Sequence, residues 1–210
     1  MTTLYIIRHG ETDDNKSGRY QGQTDTHLNE VGREQSRCVA ARMASLQLDA
    51  IYTSDLARAS ESAEIIAAGL NQDVIQDARL REIHVGRLAG LSVPEIAEHL
   101  PDFYARWEQD HDIALPDGES PYQVQERVLE AIAAIRAQHP EGHVAVVTHG
   151  GVIKLIVAAV LGLPIKERRR IVLENCSLTI VQWSAERCRL RSLNDTGHMP
   201  QAPSEVLADF

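Results

Sequence analysis

The chain has 210 residues and a mass of 23.3 kDa, the size of one globular domain, and 43% of its residues are hydrophobic. Its formal charge of −9 at pH 7 argues against a nucleic-acid protein, which needs a basic face against the phosphate backbone. No apolar run is long enough to span a bilayer, and no basic region of a signal peptide precedes the first strand. The three cysteines lack metal-site spacing, which fits a reducing compartment. We expect one cytoplasmic domain over residues 1–210, without nucleic-acid or membrane partners.

Strand and helix patterns alternate in the first half of the chain. Short apolar runs predict strands, and apolar residues at helical spacing between them predict helices. Asn29 has a side chain typical of a helix N-cap and precedes one of these helical patterns. The predicted elements are a strand at 4–7, a helix from Asn29 to about Leu46, a strand at 50–53, a helix from about Leu56 to Leu70, and a short strand at 74–75.

The second half begins with a weaker pattern. Between residues 80 and 115 prolines interrupt short helical pieces, as in a helical insertion over a pocket. A long helix then begins at Ser120, which forms a capping box with Gln123. The remaining predicted elements are a strand at 143–148, a helix at about 152–161 and closing strands at 178–183 and 190–193. This order predicts an α/β fold with a mostly parallel central sheet and helices on both faces.

Two histidines stand where strands of this predicted sheet end. Arg8 and His9 directly follow the first strand, and His149 follows the strand at 143–148. Ligands of parallel sheets bind outside the carboxyl ends of the strands, so these side chains should meet at one edge. Gly150 and the glycine after it let a ligand approach the backbone at a helix N-terminus. The sequence therefore predicts an anion site, with phosphate as its natural occupant.

Two further residues fit such a site, and each has a structural alternative. Arg58 begins the helix after the second strand, where it either binds phosphate or is a solvated surface residue. Glu82 has apolar neighbours and either acts as a general acid or pairs with Arg79 or Arg81. The sequence leaves both choices open.

A zinc site on His9 and His149 is the competing functional interpretation. It is disfavoured because Arg8 would place a fixed positive charge beside the metal, and no third ligand is evident. The sequence also lacks the phosphate loop of ATP-dependent enzymes, the dinucleotide fingerprint and the nucleophile elbow of serine hydrolases. We therefore expect no metal and no cofactor.

The ordered motifs resemble the histidine phosphatase superfamily, in its phosphoglycerate-mutase-like group. A single Arg-His-Gly triplet is a weak signal, but a series in this order over nearly the whole chain is specific. The motifs are RHGET at 8–12 with Asn15, GRYQG at 18–22, LNEVG at 28–32, YTSDLARA at 52–59, LREI at 80–83, GES at 118–120 and THGG at 148–151. The resemblance implies that the fold of that group is present, with the helical insertion over the active site.

The resemblance also implies a role for each matching residue. His9 would be the nucleophile, and Glu82 would protonate the leaving oxygen. Arg8, Arg58 and a protonated His149 would neutralise the phosphoryl oxygens without a metal. The residues expected to contact the substrate are Asn15, Gln21, Gly22 and Gly150.

The chain departs from the family pattern at three positions. Asp14 stands where relatives often have an aromatic residue, Ala89 where many have an acidic residue, and Asp117 where glycine is common. None of them matches a residue of the presumed chemistry. Each lies where substrate preference could be set.

The resemblance leaves a choice between phosphatase and mutase. Mutases of this group resemble a longer version of this sequence, with extra helical residues. The shortness of this chain therefore favours a phosphatase whose pocket admits water. The ending at 193–199 resembles the tails of metal-independent phosphoserine and α-ribazole phosphatases. We expect hydrolysis of a small phosphorylated metabolite through a phosphohistidine, with phosphoglycerate mutase as the alternative.

Two further expectations concern partners. A non-catalytic phosphate-binding module is disfavoured, because it would need neither a nucleophile nor an acid. The exposed strand near the C-terminus offers an edge on which two copies could pair, so a homodimer is kept as an option.

Overall fold

Six strands form the central sheet of the computed structural model, which describes residues 1–184 and 187–200. The strands are β1 (Thr2–Arg8), β2 (Ala50–Thr53), β3 (Val74–Gln76), β4 (His143–Thr148), β5 (Leu178–Trp183) and β6 (Cys188–Asp195). Their order across the sheet is β3-β2-β4-β1-β5-β6. The first four of these are parallel, and β5 and β6 join antiparallel beside β1. The mostly parallel sheet is therefore confirmed.

Seven α-helices accompany the sheet in the described part of the chain. They are α1 (Asp13–Lys16), α2 (Glu30–Met43), α3 (Ala57–Leu70), α4 (Val93–His99), α5 (Pro101–Gln109), α6 (Pro121–Gln138) and α7 (Gly150–Leu161). Three 3₁₀ turns lie at Ala78–Leu80, Gly86–Leu88 and Ile165–Arg170. None of these helices combines the length and the apolar character needed to cross a bilayer.

The alternation of side chains along β1 creates two apolar layers. Leu4 and Ile6 are buried against α6 and α7 on one face of the sheet. Tyr5 and Ile7 are buried against α2 and α3 on the other face. Successive strand residues point to opposite faces, so a strand that is apolar throughout requires a cover on both sides. This arrangement confirms helices on both faces.

Local capping signals predict the starts of α2 and α6 correctly, while other helix boundaries differ by a few residues. The Asn29 side chain accepts a hydrogen bond from the Gly32 amide, and the capping box at Ser120 is present. The helix α2 ends at Met43, earlier than predicted, and α7 begins two residues early because His149 is its N-cap. The sequence analysis also missed α1, which has its own capping box.

The segment between β3 and α6 forms the expected insertion. Its 3₁₀ turn at 86–88, α4 and α5 have a small apolar cluster of their own, which includes Leu88, Ile96 and Leu115. Tyr20, from the loop after α1, packs against this cluster. At the opposite side of the sheet β6 is the edge strand, and the homodimer through that edge stays a prediction.

Two glycines hold the turn after β1 against the start of α2. A Cβ atom on Gly10 would lie 2.4 Å from the Gly32 carbonyl oxygen, and one on Gly32 would lie 2.2 Å from the Glu11 carbonyl oxygen. The Asn29 amide also donates to the Glu11 carbonyl oxygen at 3.0 Å. The position of His9, which precedes this turn, therefore depends on the first turn of α2.

Gly32→Ala tests this close approach. We expect the free energy of unfolding to fall by roughly 1–3 kcal/mol, because a backbone segment must shift to admit the methyl group. Urea unfolding followed by circular dichroism measures the change. Val31→Ala, at an exposed position in the same turn, is the control. Equal stabilities of the two variants would contradict the account.

Candidate active site

The carboxyl ends of β1 and β4 bring two imidazole rings together. His9 follows β1 and His149 follows β4, and the two strands pair in parallel up to Arg8 and Thr148. The ring centroids lie 5.2 Å apart, and the two residues are only 3% and 0% exposed. The meeting of the two histidines at one sheet edge thus agrees with the sequence-based expectation.

The hydrogen bond of His9 decides which of its nitrogens is free. Nδ1 lies 2.7 Å from the Gly10 carbonyl oxygen, which can only accept, so Nδ1 carries the proton. Burial holds the pKa of His9 well below its usual value, and the charges of Arg58 and Arg8 lower this pKa further. The ring is therefore neutral at pH 7, with a lone pair on Nε2.

Two guanidinium groups accompany the rings. Arg58 is 1% exposed and donates to the carbonyl oxygens of Gly22 at 2.6 Å and Thr24 at 2.8 Å. Arg8 donates to the Leu173 carbonyl oxygen at 2.6 Å. The Nε atoms of both arginines are buried and have no hydrogen-bond partner among the described residues. The surface alternative for Arg58 is wrong, and a bound oxyanion would satisfy both Nε donors.

The second histidine has one engaged and one unpartnered nitrogen. Nε2 of His149 lies 2.9 Å from the hydroxyl of Ser54, while its buried Nδ1 has no partner in the described part of the chain. Burial first, and then the charge of Arg58, lower the pKa of His149 well below its usual value. This direction differs from the protonated ring that we expected. A neutral ring can still donate from Nδ1 when the Ser54 hydroxyl donates to Nε2.

Glu82 sits against the N-terminus of α7. Its Oε2 accepts a hydrogen bond from the Gly151 amide at 3.1 Å, and its Oε1 accepts one from the Ile83 amide at 2.9 Å. A Cβ atom on Gly151 would lie 2.4 Å from Oε1. The second glycine after His149 therefore makes room for this carboxyl group, a role that the sequence analysis did not assign.

The ion-pair alternative for Glu82 is wrong. Arg79 pairs with Asp77 at 2.6 Å, and Arg81 pairs with Asp55 at 2.5 Å. Both arginines are thus engaged with other carboxylates. The Glu82 side chain is left available to the site.

A cavity of about 280 Å³ joins these groups. The sequence-predicted residues that line it are Arg8, His9, Asn15, Gln21, Gly22, Arg58, Glu82 and Gly150. His149 is not among the lining residues, and its side chain is fully buried. The lining also lacks the three positions that depart from the family pattern, which are Asp14, Ala89 and Asp117. Their side chains therefore do not form the wall that a substrate in this cavity would contact.

Sequence reasoning missed several residues of this cavity. Tyr20 lies inside the GRYQG motif, and Lys154 lies four residues after Gly150 on α7. Helical spacing of four residues places Lys154 near the same face as Gly150. That spacing was a usable signal for Lys154.

Two asparagines support the turn that carries His9. Asn175 donates from Nδ2 to the His9 carbonyl oxygen at 3.0 Å and to Oδ1 of Asn15 at 3.1 Å. Asn15 Oδ1 also accepts from the Thr12 amide at 3.2 Å. Asn15 therefore lines the cavity and is tied to the backbone of His9 through Asn175.

Arg127 on α6 supports the backbone of Glu82, as the two asparagines support the backbone of His9. Its guanidinium donates to the carbonyl oxygens of Arg79, Arg81 and Glu82 at 2.7–3.0 Å. It also pairs with Glu119 at 2.9 Å. One side chain thus fixes the backbone on which Glu82 stands, and no local pattern in the sequence marks it.

The zinc alternative finds no ligand set in the residues that the structure describes. No group of three or more His, Cys, Asp or Glu side chains there is arranged to hold a metal ion. The neighbours of His9 and His149 are the guanidinium groups of Arg8 and Arg58. Cations of this kind suit an anion and repel a metal.

Known proteins show the same sequence pattern and fold. The sequence model of a protein family, the histidine phosphatase superfamily (branch 1), matches residues 4–196. A curated relative from Cronobacter sakazakii (strain ATCC BAA-894), named "Probable phosphoglycerate mutase GpmB", is 36% identical over 205 residues, which is 95% of either chain. The expected length difference from mutases therefore does not separate this chain from that relative.

Two solved structures named as phosphatases superimpose on the chain. A mycobacterial glucosyl-3-phosphoglycerate phosphatase, solved with VO3, has a TM-score of 0.84 at 33% identity, covering 92% of this chain and 99% of its own. A phosphoserine phosphatase from Entamoeba histolytica, solved as a histidine-to-alanine mutant with phosphoserine, has a TM-score of 0.85 at 28% identity, covering 95% and 100%. The chain belongs to the histidine phosphatase superfamily (branch 1), and its α/β fold is that of the phosphoglycerate-mutase-like enzymes.

Proposed function

We propose that the protein is a phosphatase that hydrolyses a small phosphomonoester through a phosphohistidine at His9. One observation carries the proposal: the buried, neutral ring of His9 donates from Nδ1 to the Gly10 carbonyl oxygen, and beside it lie two guanidinium groups whose Nε donors find no partner in the part of the chain that the structure describes. A free ring nitrogen next to donors for an oxyanion is the arrangement that nucleophilic phosphoryl transfer needs. The names of the two solved phosphatases support the same reaction class.

In the first step, Nε2 of His9 attacks phosphorus as the ester oxygen leaves. The P–N bond forms and the P–O bond breaks. Arg8 and Arg58, which line the cavity, hold the nonbridging oxygens, whose charge they offset. Protonated Glu82 gives its proton to the leaving oxygen, which departs as an alcohol.

In the second step, water hydrolyses the phosphohistidine. The Glu82 carboxylate takes a proton from the water as the oxygen attacks phosphorus and the P–N bond breaks. Inorganic phosphate leaves, His9 is neutral again, and Glu82 is protonated for the next turnover. No step in this sequence requires a metal, because the arginines supply the positive charge.

A mutase differs only in the fate of the phosphohistidine, which it returns to a second hydroxyl group. The name of the curated relative favours that alternative, whereas the names of the solved structures favour hydrolysis. Two assays distinguish the phosphatase from the mutase. A phosphatase releases inorganic phosphate from phosphoserine or α-ribazole phosphate, whereas a mutase converts 3-phosphoglycerate to 2-phosphoglycerate when a bisphosphoglycerate primer is present. A cytoplasmic location and a single domain over residues 1–210 remain predictions.

His9→Ala tests the nucleophile. We expect a loss of at least about a thousandfold in p-nitrophenyl phosphate hydrolysis, because the substitution removes the nitrogen that forms the P–N bond. The melting temperature shows whether the fold persists. The control His99→Ala changes an exposed histidine on α4. Residual turnover within tenfold of the unsubstituted protein would contradict the assignment.

Glu82→Gln tests the proton donor. The loss of kcat/KM should reach roughly 10²–10⁴-fold for alkyl phosphates, whose leaving groups need a proton. It should be much smaller for p-nitrophenyl phosphate, whose leaving group is stable as an anion. Glu98→Gln, at an exposed site on α4, serves as the matched control. Equal losses for both ester types would rule out proton donation by Glu82.

A ¹⁵N NMR titration tests the protonation state on which the attack depends. A pKa that burial lowers keeps the ring neutral as the pH falls through about 6.5, the value of a free histidine side chain. The stability contributed by the neutral rings is fully present above about pH 6.5, and it is lost progressively as the pH falls from there to the folded-state pKa, because only the unfolded chain binds protons in that range. We expect neutral signals from His9 and His149 at pH 6, whereas the urea-unfolded chain is largely protonated. Titration of His9 with a midpoint at or above 6.5 would contradict this.

A further inference from the structure

A second chamber adjoins the active-site cavity on the side of the insertion. Its volume is about 200 Å³, and five residues line both spaces, so the two are continuous. The shared residues are Tyr20, Ile83, Val85, Gly151 and Lys154. If a phosphoryl group lies beside His9, the rest of the substrate has this outer chamber to enter.

The walls of the outer chamber are mainly apolar and aromatic, and its polar lining residues are His111, Lys154, Arg168 and Arg169. Trp107 on α5 is one of them, and its ring packs edge-on against Tyr20 at 6.0 Å and against His111 at 5.2 Å. Leu88 and Leu115 come from the apolar cluster of the insertion. The apolar and aromatic part of these walls favours an apolar or aromatic group.

The charges that line the two chambers do not balance. Among the described residues Glu82 is the one carboxylate in either lining, and its single charge acts on Arg8, Arg58 and Lys154 together. Of the outer cations, Arg168 pairs with Asp112, and Arg169 lies over the Trp107 ring at 5.9 Å. The remaining cation of the outer chamber is Lys154, and its surroundings indicate which substrates would suit the excess of positive charge.

Lys154 lines both chambers from α7, and no hydrogen bond or ion pair holds its ammonium among the described residues. Burial lowers the pKa of Lys154, and the charge of Arg8 lowers it further, so an adjacent anion would stabilise the charged form. One ammonium group balances one negative charge. A carboxylate on the substrate meets this requirement.

We propose that Lys154 and the outer chamber select the leaving group, which has an apolar or aromatic body and carries a carboxylate that binds the ammonium of Lys154. The preferred substrates are then phosphomonoesters of apolar hydroxy acids. This inference rests on the proposed phosphatase function and adds a leaving-group subsite to it.

The test compares two esters of matched shape, 4-(carboxymethyl)phenyl phosphate and 4-methylphenyl phosphate. The readout is the ratio of their kcat/KM values. We expect the unsubstituted protein to favour the carboxylate ester by about tenfold or more, as a charge-assisted contact provides. Lys154→Met should reduce this ratio to about one or below, and Lys154→Arg should keep most of it. Lys166→Met, at an exposed lysine that lines neither chamber, should leave the ratio unchanged.

Two outcomes overturn the carboxylate assignment while the phosphatase stands. One is a His9-dependent hydrolysis of both esters without any preference for the carboxylate. The other is a preference that Lys154→Met retains while its melting temperature shows a folded protein. If the unsubstituted protein hydrolyses neither ester, or if His9→Ala hydrolyses both, the phosphatase function fails and the subsite fails with it.

The aromatic part of the proposal has its own variant. Trp107→Ala should lower the ratio of kcat/KM for 4-methylphenyl phosphate over ethyl phosphate by about tenfold, because it removes an apolar wall. Trp183→Ala, at the end of β5 and outside both linings, should not change that ratio. An unchanged ratio in Trp107→Ala would overturn the apolar subsite.

Discussion

The hydrogen bond from Nδ1 of His9 to the carbonyl oxygen of Gly10 decides the chemistry of this site. It commits one ring nitrogen to the backbone, so the other can react only as a neutral base or nucleophile. The fold protects this bond: Gly10 packs against Gly32, and Asn175 holds the carbonyl of His9. A displacement of this turn would change which nitrogen faces the substrate.

The neutral rings lie beside the buried Arg58 and the partly buried Arg8, and the two features serve the same chemistry. Burial opposes the protonation of His9 and His149, and the positive charge near them opposes it further. The Nε donors of the same guanidinium groups are buried and have no partner within residues 1–184 and 187–200, and a phosphoryl group would satisfy them. The site is thus arranged to hold an anion and to keep its attacking nitrogen unprotonated at once. Arg127 adds rigidity on the acid side by fixing the backbone of Glu82.

The sequence predicts what local patterns and the topology of parallel sheets control. Asn29 and Ser120 identify helix starts because capping is local, and the rule for strand ends brings His9 and His149 together. Contacts between distant segments cannot be predicted from local patterns. Asn175 lies 166 residues from His9, and no sequence pattern indicates that the two are in contact. The ion pairs that leave Glu82 free of Arg79 and Arg81 were equally invisible, since Asp77 and Asp55 were no less plausible as surface residues.

The most direct test of the account is the position of the phosphoryl group on the trapped enzyme. The protein is mixed with substrate, quenched in alkali, where phosphohistidine survives, and analysed by mass spectrometry and ³¹P NMR. The account predicts one phosphoryl group on His9, bonded to Nε2, because Nδ1 is held by Gly10. Phosphorylation at Nδ1 of His9, or at any other residue in its place, would contradict it.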